Sequence, residues 1–244
     1  MTTDAASGVY VTGTDTGVGK TAIAVALVSL LAASGRRVVG LKPVASGAER
    51  TAGGLRNADA VALAAASSVA RPYESTNPYC FEPAIAPHLA AADAGVPIVL
   101  PDLVAWYEGA AIGVDFAVVE GAGGWRVPLH PTGYLSDLPE TLGLGVILVV
   151  GLRLGCLNHA RLTLEAIERS DRCPLLGWIG NGVEADFPRV PGNVATLSRL
   201  LGAPPLAVVP PLAAATPAQD VPHLDGAVRR LLAWHSSRPR LASQ

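Results

Sequence analysis

Along the 244 residues, short apolar runs alternate with longer stretches of helical periodicity. Residues 9–12, 37–41, 116–119, 146–150, 176–179 and 206–209 each predict a buried strand of four or five residues, too continuous in apolar character to have one face in water. Between them, Lys20–Ala33 and residues 58–67, 158–169 and 194–201 carry helical patterns. Strand, crossover helix and strand in repetition predict an α/β fold, a mainly parallel sheet flanked by helices on both faces. No repeat or linker divides the pattern, so residues 1–244 read as a single domain with a frayed tail after Trp234, from about residue 235. A Pro-containing stretch at 72–101 breaks the alternation and is expected to pack over the site or against a second subunit.

Ligands of such sheets sit beyond the carboxyl ends of the strands, and the polar and glycine-rich segments 13–19, 43–47, 120–124, 153–158 and 181–182 fall there. Composition narrows the chemistry. Half the residues are hydrophobic, 16% are charged and the net charge is -2, which argues against a disordered chain and against nucleic-acid binding through a basic face. Cys80, Cys156 and Cys173 are too scattered for a disulfide framework or a zinc pair, and no basic-then-apolar leader opens the sequence. The longest apolar run, 142–152, includes three glycines and falls short of the roughly 20 residues that span a bilayer. A reduced, cytoplasmic protein without a membrane partner is expected.

The concentrated signal follows the first strand. Gly13-Thr14-Asp15-Thr16-Gly17-Val18-Gly19-Lys20-Thr21 sits between an apolar strand and an Ala/Val/Leu helix, the context a phosphate-binding loop requires. Backbone N–H groups of Gly17, Val18 and Gly19 and the helix start at Lys20, Thr21 and Ala22 can converge on phosphate oxygens. Lys20 can reach the terminal phosphates, and Thr21 can offer a hydroxyl to Mg²⁺. Five residues rather than the usual four separate Gly13 from Gly19. Partition and nitrogenase-iron ATPases carry a second lysine where Asp15 stands, which argues against that class.

The chain holds 18 Lys plus Arg, and only Lys20 and Lys42 are lysine. Lys42 ends the second strand beside the loop, where an ammonium can neutralise a transferring phosphoryl group; a surface lysine before a turn proline is the alternative. Glu120 ends the third strand, suited to nucleotide-bound Mg²⁺, and Gly121, Ala122 and Gly123 let backbone approach the phosphates. Asp59, in a first helical turn opened by Asn57, reads from spacing alone as a favourable helix-dipole residue. Asn181 offers a donor and an acceptor to the edge of a base. Leu154-Gly155-Cys156-Leu157-Asn158 leads into a helix and suits either a carboxylate at its N-terminus or an ordinary cap by Asn158. The five histidines are dispersed, without metal-ligand spacing.

VTGTDTGVGKT, GLKPVASG, GLRNADA, NPY followed by APH, VVEGAGGW, VILVVGLRLGCLNHARLT and GWIGN, in this order over residues 11–181, closely resemble the dethiobiotin synthetase family of the P-loop NTPase superfamily. The resemblance implies an ATP-dependent ligase in which 7,8-diaminononanoate captures CO₂ as a carbamate. The carbamate takes the γ-phosphoryl of ATP, and the second amine closes a cyclic urea. It implies that Lys42 and Ser46 contact the carbamate, that Thr16 positions the substrate and that Thr21, Asp59 and Glu120 serve Mg²⁺. Asn181, Gly182 and the Pro210, Pro211 and Leu212 loop would hold the base. Leu154, Gly155, Cys156 and Asn158 would bind the substrate carboxylate, across a homodimer interface in relatives. Gly17 departs from an acidic residue of some relatives, and the surroundings of Asn193 from an aromatic partner to the carboxylate. A P-loop ATPase switch acting on a protein partner is the competing reading.

Overall fold

The computed structural model describes residues 7–211, 221 and 223–237. Six parallel strands form its sheet: β1 (Ser7–Gly13), β2 (Val38–Leu41), β3 (Phe116–Glu120), β4 (Gly145–Leu152), β5 (Leu175–Gly182) and β6 (Ala207–Val209). Their spatial order is β6-β5-β4-β1-β3-β2, with β1 paired to β4 on one side and β3 on the other. The six predicted runs are these strands. All six run parallel, so the polar segments that follow them emerge at one edge.

Alternation of side chains across the pleat builds the two layers. Val9 and Val11 of β1 enter a core with α1 (Lys20–Ala33), α2 (Ala58–Ala66) and α9 (Asp225–Ser237), while Tyr10 faces the opposite side. That side is covered by α4 (Pro87–Ala94), α5 (Leu100–Ala110) and α6 (Asp137–Leu142), and, over β4 and β5, by α7 (Cys156–Glu168) and α8 (Val190–Leu200). The short α3 is Tyr73–Thr76. Helix α1 is apolar almost all round because it lies between the sheet, α2 and α9, and wholly buried Leu27 and Leu31 contribute roughly 2 kcal/mol each through area removed from water.

Several boundaries move. α7 begins at Cys156, two residues before the predicted start, because Gly155 takes φ 94 as its N-cap, a left-handed turn that an L side chain resists. Asn158 is therefore inside the helix, and the reading of it as N-cap is corrected. α8 begins at Val190 rather than 194, and Pro191 in its first turn tolerates the missing N–H. The 72–101 stretch folds into α3, a short strand and α4 and enters α5. Helix α9 continues past Trp234 to Ser237. Among the described residues no helix is long and apolar enough to cross a membrane.

Candidate active site

The phosphate loop lies at the middle of the sheet's carboxyl edge, between β1 and α1. The Thr14 N–H donates to the Val149 carbonyl of β4 at 3.0 Å, and Asn181 Nδ2, from the end of β5, donates to the Val18 carbonyl at 2.9 Å. Strands β4 and β5 thus both hold the loop. Gly19 is the N-cap of α1 with φ 87, and a methyl group there would overlap the Asn181 amide. Gly19→Ala is therefore expected to combine left-handed strain with a clash and to weaken ATP binding by about tenfold or more, measured by titration with a fluorescent nucleotide. Gly17 sits at φ 73 in open space, a conformation that suits glycine better than an acidic residue.

Four predicted residues converge beside Lys20. Lys42 Nζ donates to Asp59 Oδ2 and to Glu120 Oε1, both at 2.8 Å, and to the Gly121 carbonyl at 3.4 Å. Thr21 Oγ1 donates to the same Glu120 oxygen at 2.8 Å. Asp59 reaches this point from the first turn of α2 because Asn57 caps that helix, its side chain accepting from the Asp59 and Ala60 N–H groups at 3.1 and 3.3 Å. The helix-dipole position and the ion pair are both real, and spacing along the chain displayed only the first. Glu120 Oε2 is buried without a hydrogen-bond partner.

The charges tune one another in a site where Lys42 and Glu120 are almost wholly buried. Burial by itself draws the Lys42 pKa down, but Glu120 and Asp59 outweigh it and hold the ammonium above the ordinary lysine value. Burial pushes the Glu120 carboxyl up, against the pull of Lys42. At Asp59 burial also pushes up, but the Lys42 charge and hydrogen bond prevail and hold it low. Burial and then the repulsion of Lys42 bring Lys20 down to about 8, against the carboxylates of Glu120, Asp59 and Asp15.

The glycine run after Glu120 packs onto the loop: a Cβ on Gly124 would lie 3.6 Å from the Gly13 carbonyl, and one on Gly123 would lie 3.5 Å from Thr16 Oγ1. Ala122, which precedes them, is half-buried. Ser46 Oγ is a shielded hydroxyl without a hydrogen-bond partner, and the Ser46 carbonyl accepts from Asn57 Nδ2 at 3.3 Å. At the other end of the loop, Gly182, Pro210 and Pro211 line a cleft of about 330 Å³ with Leu152, Glu184 and Val208. Asn181 commits a donor to Val18, while its Oδ1 is buried and unpartnered, which leaves that oxygen as an acceptor. Leu212 lies outside the described residues. A larger apolar cavity, about 580 Å³ between α4 and the 128–134 hairpin, holds none of the predicted site residues.

The first intrahelical bond of α7 runs from the His159 N–H to the Gly155 carbonyl, so the Leu157 and Asn158 N–H groups precede the ladder at the helix's positive end. The Cys156 N–H is already bonded to the Arg153 carbonyl, and Leu154 is 92% exposed. Asn193 turns its amide onto the Pro188 and Arg189 carbonyls at the start of α8.

Sequence reading gave no role to the residues that hold Lys42. Its N–H donates to the Thr76 carbonyl at 2.8 Å, and Asn77 Nδ2 donates to the Lys42 carbonyl at 2.7 Å. Tyr73 Oη donates to Asn77 Oδ1 at 3.0 Å and accepts from the Asn57 N–H at 2.8 Å, joining the Lys42 strand end to the cap that presents Asp59. The 72–101 stretch therefore packs beside the site and braces it. The NPY motif at Asn77 was the visible signal, but its partners are set by tertiary contact.

A glycine loop joining a central parallel strand to a buried helix, with lysine and threonine at the helix start and a carboxylate ending the next strand, defines a P-loop nucleotide-binding protein. A family model described as "AAA domain" matches residues 7–219. Solved structures of the same fold include the MinC:MinD cell division complex of Aquifex aeolicus (TM-score 0.58, 14% identity, 98% of this chain and 99% of that chain). MinD of Pyrococcus horikoshii is also similar (TM-score 0.56, 17% identity, 94% and 96% covered). At such identity the likeness concerns fold alone. The chain is 53% identical to a protein of Pseudomonas paraeruginosa named ATP-dependent dethiobiotin synthetase BioD, over 88% of this chain and 95% of that one. It is 47% identical to a protein of the same name from Cellvibrio japonicus, over 88% and 94%. The chain belongs to the ATP-dependent dethiobiotin synthetase family.

Proposed function

We propose that the protein is an Mg-ATP-dependent ligase that closes 7,8-diaminononanoate and CO₂ into the cyclic urea dethiobiotin. The observation that carries this reading is Lys42: the only lysine besides that of the phosphate loop, buried, and bonded to Glu120 beside the Thr21 hydroxyl. A nucleotide switch needs the loop lysine. A second fixed ammonium next to it suits a transfer in which the acceptor is itself an anion.

One amine of the substrate adds to CO₂ and loses a proton, giving a carbamate. Its oxygen attacks the γ-phosphorus and ADP leaves. The second amine then attacks the carbamoyl carbon, phosphate departs, and the ring closes. Lys42 faces the carbamate oxygen and the moving phosphoryl group, where a preorganised charge needs no reorientation. Ser46 contacts the carbamate through its unpartnered hydroxyl, and Thr16 positions the reacting end. Lys20 and the N–H groups of Gly17, Val18, Gly19, Thr21 and Ala22 take the phosphates with Gly121, Ala122 and Gly123. Asn181 Oδ1 accepts from the base, which lies in the cleft of Gly182, Pro210 and Pro211.

Thr21, Asp59 and Glu120 would hold Mg²⁺. Their oxygens suit this hard cation, and the buried, unpartnered Glu120 Oε2 is an acceptor in want of a cation or its water. Among the described residues no group of three or more His, Cys, Asp or Glu side chains that could hold a metal occurs. When bound, Mg²⁺ supplies charge neutralisation on the phosphates. The amides at the start of α7 take the substrate carboxylate with Leu154, Gly155, Cys156 and Asn158. Exposed Leu154 and Leu162 suit this surface to a homodimer contact.

Phosphate release assayed with mass detection of product tests the reading. Turnover is expected only when the diamine and CO₂ or bicarbonate are both present; equal ATP consumption without the diamine overturns the ligase reading, and stimulation of that turnover by another protein would mark the ATPase switch.

A further inference from the structure

We infer that Asp15 and Arg153 are a positioning pair that links the phosphate loop to the 154–158 turn, so that nucleotide binding is felt where the substrate carboxylate is held. The second half of this statement rests on the carboxylate assignment proposed above. The first half rests on contacts alone.

Asp15 is a hub with three connections. Its carbonyl accepts from Lys20 Nζ at 2.9 Å, its Oδ1 accepts from the Thr16 N–H at 2.7 Å, and its Oδ2 accepts from the Arg153 guanidinium. Arg153 follows β4 directly and precedes Leu154, and its own carbonyl accepts from the Cys156 N–H at 3.1 Å, closing the turn into α7. The loop also rests on the strand that leads to Arg153, since a Cβ on Gly151 would come within 2.9 Å of Val18 Cγ1. The contact is therefore continuous from the Lys20 ammonium to the N-terminus of α7.

Stability does not account for the pair. The two side chains are 32% and 45% exposed, and an ion pair so open to solvent adds little to folding. Its consequence is geometric. Arriving phosphates compete for the Lys20 ammonium as charged acceptors stronger than a peptide carbonyl. The Asp15 peptide then settles against the bound nucleotide, and its carboxylate holds Arg153 and the turn after it in one arrangement. Coupling of this kind is reciprocal, so occupancy of the turn also changes nucleotide affinity.

Hydrogen–deuterium exchange on the full chain, with and without Mg²⁺ and adenylyl imidodiphosphate, tests the link. In the wild type the analogue is expected to slow exchange in residues 154–159 by about fivefold or more. Arg153→Gln and Asp15→Asn should abolish that effect while protection of residues 17–22 remains, because asparagine still accepts from the Thr16 N–H. Arg153→Lys should restore part of it. In turnover assays Arg153→Gln should raise KM for the diamine by about tenfold with a smaller change in kcat. Protection of 154–159 that persists in either charge-removing variant, or that is absent from the wild type while 17–22 is protected, overturns the link. If the wild type turns over no diamine, the proposed reaction falls while the exchange comparison still decides the pair.

Discussion

Lys42→Arg is expected to keep nucleotide affinity within about threefold of wild type while lowering kcat by about a thousandfold, the size of effect seen when a preorganised charge at the reacting oxygen is lost. Net charge is unchanged, so the phosphates still find a positive site. Shape is what fails. The Lys42 ammonium is a compact group held at 2.8 Å from both Asp59 and Glu120, and the residue is 3% exposed. A planar guanidinium is larger and directs its donors in a fixed fork. It cannot keep both carboxylates without displacing the Gly121 carbonyl or the Asn77 brace. Nucleotide titration separates binding from turnover. Wild-type kcat in this variant would remove Lys42 from the proposed mechanism.

Glu120→Gln is expected to cost both activity and stability. One oxygen of Glu120 accepts from Thr21 and from Lys42, and an amide oxygen could take the same hydrogen bonds but not their charge. Lys42 would then stay buried with Asp59 as its remaining anion. Breaking one side of a buried pair leaves uncompensated charge, a loss of about 3 kcal/mol here, at the low end for such sites because Asp59 persists. Urea unfolding reads that loss as a lower midpoint with an unchanged slope. Turnover should fall about a hundredfold or more, and added Mg²⁺ should recover little of it, since the missing charge belongs to the site itself. Unchanged stability would mean that Lys42 has found another anion or has given up its proton.

Much of this site is legible along the chain because each functional group is tied to the end of an apolar strand. The run 9–12 ends in the phosphate loop, 37–41 in Lys42 and 116–119 in Glu120, and parallel topology brings those ends to one edge. Asp59 is the counterexample. Its position after Asn57 suggests only a helix cap and a favourable dipole, and the ion pair with Lys42 appears once α2 packs next to β2. Asn77 and Tyr73 are harder still, because their partners are backbone atoms of Lys42 and Asn57, and backbone atoms leave no mark on composition. Asn158 shows the opposite error. A cap residue of the right type stood at a plausible position, but the left-handed freedom of Gly155 started the helix two residues earlier.

By itself the sequence determined the six strands, the helix that follows the phosphate loop and the residue types available to bind phosphate and metal. Those features depend on local periodicity, on glycine at tight turns and on which side chains can carry charge. Only the tertiary structure decided how the charges pair: that Lys42 lies between Asp59 and Glu120, that Glu120 shares one oxygen between Thr21 and Lys42, and that Asp15 pairs with Arg153. Such pairings join residues up to 138 positions apart in the chain. Their strength depends on distance and burial, which the fold sets and the order of residues does not display.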